Sequence, residues 1–226
     1  MSLSPQKQIQ NGAIGIQPPS SPSAIVFKDY LYIFYIGAGG DGIWYTWSYY
    51  SLLRGRQFTA PIQVSARAGT PIPIAPATRP VPVVFNNTLY LFFTALGEKG
   101  FSLSLTTSKD GSRWTPAVDV SGAIPGALPV MPATNPAATV HKGHLYLFWC
   151  TPSTAPPDRN VNRLQFSELE NGKWVGANDV PAVNLGVRPY TSPAVVDFRG
   201  QLLVFYDGSG GDGTWVTSYN GGYGRL

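Results

Sequence analysis

The stretch Ile72-Pro-Ile-Ala-Pro-Ala-Thr-Arg-Pro80-Val-Pro-Val-Val-Phe-Asn-Asn-Thr-Leu89-Tyr-Leu-Phe-Phe93 carries three signals in order. A Pro-rich segment comes first, then a short β-branched run, then an aromatic-rich run across an Asn-Asn turn. Runs of this length, rich in Val, Tyr and Phe and bounded by turn residues, read as strands. The stretch recurs three more times. Its nine-residue opening aligns with Ile14-Gly-Ile-Gln-Pro-Pro-Ser-Ser-Pro22, Leu128-Pro-Val-Met-Pro-Ala-Thr-Asn-Pro136 and Leu185-Gly-Val-Arg-Pro-Tyr-Thr-Ser-Pro193. The shared form is Ile/Leu, Gly/Pro, Ile/Val, any, Pro, any, Ser/Thr, any, Pro. The closing prolines are 58, 56 and 57 residues apart, and each is followed nine residues later by a Leu.

Each copy continues into a third strand, ending at Ser48, Ser108, Ser167 and Ser218. A turn follows, and then a fourth strand, as in Pro61-Ile-Gln-Val-Ser65 and Pro116-Ala-Val-Asp-Val-Ser121. Four strands per unit, repeated at a fixed period, predict a β-propeller. The expected fold is all-β: a four-bladed β-propeller with four-stranded blades, forming a single domain over residues 1–226. The repeats run over about 22–79, 80–135, 136–192 and 193–226 plus 1–21. The spacings leave 55 residues, one period, for that composite last unit. Pro5-Gln-Lys-Gln-Ile-Gln10 resembles the fourth strands, so the N-terminal strand is expected to close the last blade and remove its open edge. A β-sandwich does not explain the period. No useful stretch has the 3.6-residue period of a helix, so helix content is expected to be very low.

Composition agrees. The chain has 226 residues, 25 Gly, 21 Pro and 13% aromatics. Charged residues make up 12%, about half the roughly 25% usual in soluble domains. Apolar content of 43% is too high for a disordered chain. No apolar run nears the roughly 20 residues of a membrane helix, so no membrane insertion is expected. Met1 to Gln8 contain no apolar signal core, which points to a chain that is cytoplasmic at synthesis or released without such a signal. The one cysteine, Cys150, permits no internal disulfide and reads as a buried thiol. The net charge is +4, but the basic residues are scattered, with Arg54 and Arg56 the nearest to a cluster. No nucleic acid partner is expected, and oligomerisation is left open.

In a propeller the loop from strand two to strand three shares a face with the loop from strand four to the next strand one. These are the elaborated loops here, and binding is expected on that face. The loops Gly39-Gly-Asp41-Gly42 and Gly210-Gly-Asp212-Gly213 nearly match, and Trp44 and Trp215 follow them. A carboxylate beside an indole suits a sugar, because the ring stacks on C–H faces while the carboxylate accepts hydroxyl hydrogen bonds. In the Pro-rich form, position seven is nearly constant (Ser20, Thr78, Thr134, Thr191) and reads as satisfying backbone groups. Position eight varies (Ser21, Arg79, Asn135, Ser192). The ligand-binding candidates are therefore Asp41, Trp44, Arg79, Asn135, Arg188, Tyr190, Asp212 and Trp215. No catalytic residue is assigned. Asp197 and Asp207 flank inner strands of the fourth unit, yet no Glu recurs near them to make an acid–nucleophile pair. His141 and His144 flank a Lys-Gly turn and read as exposed, without further ligands for a metal. No cofactor is implied, and the chain is expected not to be an enzyme.

Ser192-Pro-Ala-Val-Val-Asp-Phe-Arg-Gly-Gln-Leu-Leu-Val-Phe-Tyr206, together with Ser108-Lys-Asp-Gly-Ser-Arg-Trp114, resembles the repeats of sialidase-like and bacterial lectin propellers. The second segment looks like a shortened Asp-box, a turn that is structural in those families. The resemblance spans all four units. The chain departs from sialidases, which have six blades and an arginine triad, and from five-bladed arabinanase-type glycosidases with three placed carboxylates. The resemblance implies a carbohydrate-binding, lectin-like propeller whose partners are glycans or glycoproteins, with repeated sites gaining avidity from geometry. The alternatives are a protein-interaction or toxin-associated propeller and a glycoside hydrolase-like enzyme.

Overall fold

A computed structural model describes residues 15–51, 55–152, 162–180, 186–211 and 213–219. They form four antiparallel sheets, one for each copy of the repeat. The first contains β1 (Ser23–Phe27), β2 (Tyr30–Ile36), β3 (Ile43–Ser51), β4 (Gly55–Phe58) and β5 (Ile62–Gln63), and both β4 and β5 pair with β3. The second contains β6 (Val81–Phe85), β7 (Thr88–Gly97), β8 (Gly100–Ser108) and β9 (Val118–Asp119). The third contains β10 (Ala137–His141), β11 (His144–Thr151), β12 (Arg163–Glu170), β13 (Lys173–Trp174) and β14 (Asn178–Asp179). The fourth contains β15 (Ala194–Phe198), β16 (Gln201–Asp207) and β17 (Thr214–Tyr219). The first strands lie side by side, β1 against β6, β6 against β10, and β10 against β15. Four sheets in succession around their innermost strands are consistent with four blades of a propeller. Residues 5–10, expected to complete the last sheet, lie outside the described residues.

The first hairpin of every sheet turns in two residues, both with positive φ: Lys28 and Asp29, Asn86 and Asn87, Lys142 and Gly143, Arg199 and Gly200. That is the backbone of a type I′ turn, whose twist matches that of the flanking strands. The turns fix the register, for example Phe85 opposite Thr88 and Val81 opposite Phe92. Alternate residues of β7 and its counterparts then fill the seams between sheets.

The core is divided among those seams. Phe34, Tyr45, Leu89, Leu91, Phe93 and Trp114 pack between the first and second sheets. Phe92, Leu103, Leu145, Leu147 and Trp149 pack between the second and third, and Phe148, Cys150, Leu202 and Val204 between the third and fourth. Trp114 meets Phe34 edge-on with ring centroids 5.7 Å apart. The turn before it is built on Asp110, whose Oδ1 accepts the N–H groups of Ser112 and Arg113, both at 2.8 Å. Those bonds hold the Asp110 carboxyl down to about 2.

The outer strands are shorter than expected. Only Ile62–Gln63 and Val118–Asp119 pair as ladders within the two quoted segments, and α1 (Val64–Ala68) begins where β5 ends. Hydroxyls take over the lost ladder bonds. Ser121 Oγ accepts the N–H of Leu103 at 2.6 Å, and Thr115 Oγ1 accepts that of Thr107 at 3.0 Å. On the facing strands Thr46 and Thr106 donate their hydroxyls to the carbonyls of Thr59 and Thr115, at 2.7 and 2.6 Å. Single backbone bonds remain beside them, from the N–H groups of Thr59, Thr115 and Val120 to the carbonyls of Trp47, Thr107 and Leu103.

One histidine corrects the sequence reading. His141 is buried rather than exposed, and its Nδ1 lies 2.6 Å from Asp197 Oδ2 of the neighbouring sheet. It ends β10, at the place where Phe27 and Phe85 end β1 and β6, and it packs inward as they do, whereas Phe198 at the end of β15 is 53% exposed. His144 stays partly exposed, 2.6 Å from Glu168.

Candidate functional site

The Pro-rich segments and the β2–β3 type loops occupy the same end of the sheets. Isolated bridges show this: Ile16 pairs with Gly37, Ile74 with Ala95, and Val187 with Gly208. At that end position six of the form has positive φ in Ala77, Ala133 and Tyr190. This turn lets position seven reach back. Thr78, Thr134 and Thr191 each donate a hydroxyl to the carbonyl of position four, at 2.6, 2.7 and 2.9 Å. The three threonine hydroxyls thus close their own turns, while Ser20, the fourth member of the set, donates to the Thr78 carbonyl instead.

The segments are tied to one another across the seams by a second set of bonds. The carbonyl of Thr78 accepts from Ser20 Oγ at 2.5 Å, that of Thr134 from Thr94 Oγ1 at 2.7 Å, and that of Thr191 from Cys150 Sγ at 3.6 Å. Thr94 and Cys150 are equivalent positions, each five residues after the Leu of the repeat. Their counterparts are Ile36, which has no polar group, and Asp207. Position eight makes a third set. Asn135 Oδ1 accepts the N–H of Arg79 at 2.6 Å, and Ser192 Oγ accepts the N–H of Asn135 at 2.9 Å.

These bonds draw the four segments around a cavity of about 250 Å³, lined by Pro19, Ser20, Ser21, Ala77, Thr78, Arg79, Asn135 and Ser192. All four copies contribute. The lining is hydroxyl, amide and guanidinium, and Arg79 is its one charged side chain. Such a surface offers both donors and acceptors to a polyol.

Of the sequence candidates, the cavity brings together Arg79 and Asn135. The others lie elsewhere. Trp44 Nε1 donates to Asp41 Oδ1 at 2.8 Å, so indole and carboxylate satisfy each other within the β2–β3 loop. That loop is closed further by Gln63 Nε2, which donates to the Asp41 carbonyl. Arg188 and Tyr190 are exposed, Tyr190 at 70%, on the outer side of the fourth Pro-rich turn. Trp215 is 40% exposed on β17, opposite Tyr206. Asp212 lies outside the described residues. Among the lining residues, Ser21 and Ser192 share position eight with Arg79 and Asn135. Variation at that single position, read together in all four copies, is the signal that marks the whole ring.

No protein-family model and no curated protein matches the sequence. Solved structures do share the fold. A thermostable family-43 glycoside hydrolase superposes with a TM-score of 0.55 at 13% identity, over 88% of this chain and 65% of its own. An exo-β-1,3-galactanase from Phanerochaete chrysosporium gives 0.56 at 13%, over 97% and 53%. Trypanosoma rangeli sialidase gives 0.55 at 13%, over 88% and 36%. The chain therefore spans less than two thirds of the length of each of these. At such identity the likeness is one of fold, and it places the chain among propeller-type folds.

These likenesses overturn one expectation. The chain was expected not to be an enzyme because no carboxylate pair recurs within a unit, yet the structures that share its fold are glycoside hydrolases and a sialidase. A search within single units is blind to a propeller's centre, where side chains one or more periods apart converge.

Proposed function

We propose that the chain acts on carbohydrates, as a glycoside hydrolase-like propeller that holds one sugar unit in the central cavity. The cavity carries this reading. Its hydroxyl, amide and guanidinium lining can pair with the hydroxyls of a sugar, and its volume of about 250 Å³ suits one ring rather than a larger ligand. The fold-level likeness to glycoside hydrolases supports the same reading.

Asp207 is the carboxylate this reading puts to work. It occupies the position from which Thr94 and Cys150 reach the position-seven carbonyl of the next copy. In a closed ring the next copy is the first, and its position seven is Ser20, a lining residue of the cavity. A carboxylate there takes the place of a hydroxyl or thiol that ties one segment to the next. Its Oδ1 accepts from Thr214 Oγ1 at 2.8 Å; Asp207 is not itself a lining residue, and its other oxygen is the candidate for acid or base work on a sugar that extends past the lining.

The finer architecture belongs to the same proposal. One domain of four blades, with repeats at about 22–79, 80–135, 136–192 and 193–226 plus 1–21, closes when residues 5–10 pair along β17. It is supported by the period and by the fourth-strand likeness of Pro5 to Gln10.

The test is a panel of aryl glycosides and oligosaccharides incubated with the full chain, with released sugar measured. Release from at least one substrate, reduced by about 10²-fold or more in Asp207→Asn, is the expected result. Binding without release from any substrate overturns the catalytic reading. Neither binding nor release overturns the carbohydrate reading as a whole.

A further inference from the structure

The ring of position-eight residues follows a rule that one member breaks. The side chain at position eight accepts the backbone N–H at position eight of the preceding copy: Asn135 for Arg79 and Ser192 for Asn135. Two of the four links are made in this way among the described residues. Asn and Ser can serve because their side chains carry an acceptor oxygen. The next link back would join the N–H of Ser21 to the side chain of residue 79. An arginine has five donors and no acceptor, so this link cannot form, and the described residues offer the Ser21 N–H no other partner.

Arg79 therefore does not serve the ring as its counterparts do. Nor is it neutralised. No ion pair among the described residues involves it, and no carboxylate lines the cavity it borders. It is half-buried, so its charge faces a polar space in which screening by water is reduced. The Ser21 N–H and the Ser20, Ser21 and Ser192 hydroxyls belong to the residues that line the same space.

We propose that Arg79 is the determinant of substrate charge, and that the sugar held in the cavity bears a carboxylate, as a uronic acid does. The inference rests on the reading of the cavity as a sugar site. The guanidinium is planar and binds a carboxylate through two parallel N–H groups. The Ser21 N–H, left without its ring acceptor, supplies a further donor toward the anion. The hydroxyls and the Asn135 amide serve the neutral part of the sugar.

The experiment is titration calorimetry of the full chain with a uronic acid-terminated disaccharide, its neutral hexose counterpart and a 6-sulfated hexose counterpart. The uronic acid-terminated disaccharide is expected to bind at least ten-fold more tightly than the other two. In Arg79→Asn that preference is lost, and the acidic disaccharide binds no more tightly than the neutral one. The variant is expected to fold, because the third copy already carries Asn at this position and Asn restores an acceptor for Ser21. Its thermal midpoint is expected to match or exceed that of the parent. Arg79→Gln repeats the comparison with a longer neutral side chain. Equal affinity of the parent for acidic and neutral disaccharides overturns this inference and leaves the sugar site standing. Tighter binding of the sulfated disaccharide overturns the carboxylate assignment. A preference that survives both substitutions overturns the role of Arg79. Failure of all three sugars to bind overturns the sugar site and this inference together.

Discussion

The backbone N–H of Arg79 donates to Asn135 Oδ1 at 2.6 Å, across a seam and 56 residues of chain. The same amide group donates through Nδ2 to Ser192 Oγ at 3.1 Å. One side chain thus fastens three of the four Pro-rich segments. Asn135→Ala removes both bonds and leaves a partly buried N–H without a partner, at a cost of about 1–3 kcal/mol. Urea denaturation should show the midpoint falling by a matching amount. Asn135→Ser should cost less, since Ser fills the equivalent position in the fourth copy.

Gly111 supports a second seam. Its φ is +78°, and a Cβ there would run into the hydroxyl of Tyr32 in the neighbouring sheet. Gly111→Ala is expected to destabilise the chain by about 1–3 kcal/mol through overpacking and backbone strain. Tyr32→Phe removes the offending oxygen and should recover part of that loss. Thermal unfolding of the two single variants and the double variant reads the coupling directly.

Burial pushes the Cys150 thiol up to about 12, and reactivity follows the thiolate. Iodoacetamide at pH 8 should leave the folded chain unlabelled and label it fully in denaturant, as followed by mass spectrometry. Rapid labelling without denaturant would contradict the burial. Cys150→Ser keeps a donor for the Thr191 carbonyl and should be tolerated.

Asp110 gives an acid dependence with a definite sign. Its carboxyl is held at about 2, chiefly by the N–H groups of Arg113 and Ser112. A depressed folded-state value stabilises the fold above the ordinary carboxylate range, near pH 4, and that contribution fades as pH falls toward 2. Asp110→Asn keeps an acceptor but cannot ionise. Thermal midpoints between pH 5 and pH 2 should fall less steeply for this variant than for the parent.

Much of this was legible in the sequence because the repeat registers its own boundaries. The nine-residue form located each innermost strand, and the two-residue turns after Phe27, Phe85, His141 and Phe198 followed from the constant distance between Pro and Leu. Position seven was readable for the same reason: a hydroxyl that closes the same turn in three copies stays threonine in all three. The outer segments were less legible, since a ladder of two residues supplemented by Ser121 or Thr115 hydroxyls has no alternation to detect. Trp44 and Asp41 were drawn together by their spacing, but that they bond to each other depends on the path of the loop, which spacing does not carry. The fate of His141 depended on a partner 56 residues away, and no local pattern announces such a partner.

The carbonyls of Thr78, Thr134 and Thr191 receive a serine hydroxyl, a threonine hydroxyl and a thiol, from two different places in the repeat. What passes from one copy to the next is a vacancy for a donor, not a required residue. A duplicated segment held in this way can drift far in sequence while its geometry stays in step with its neighbours. Copies released from identity can then specialise singly, one keeping a mechanical duty while another takes on a charge the rest cannot carry.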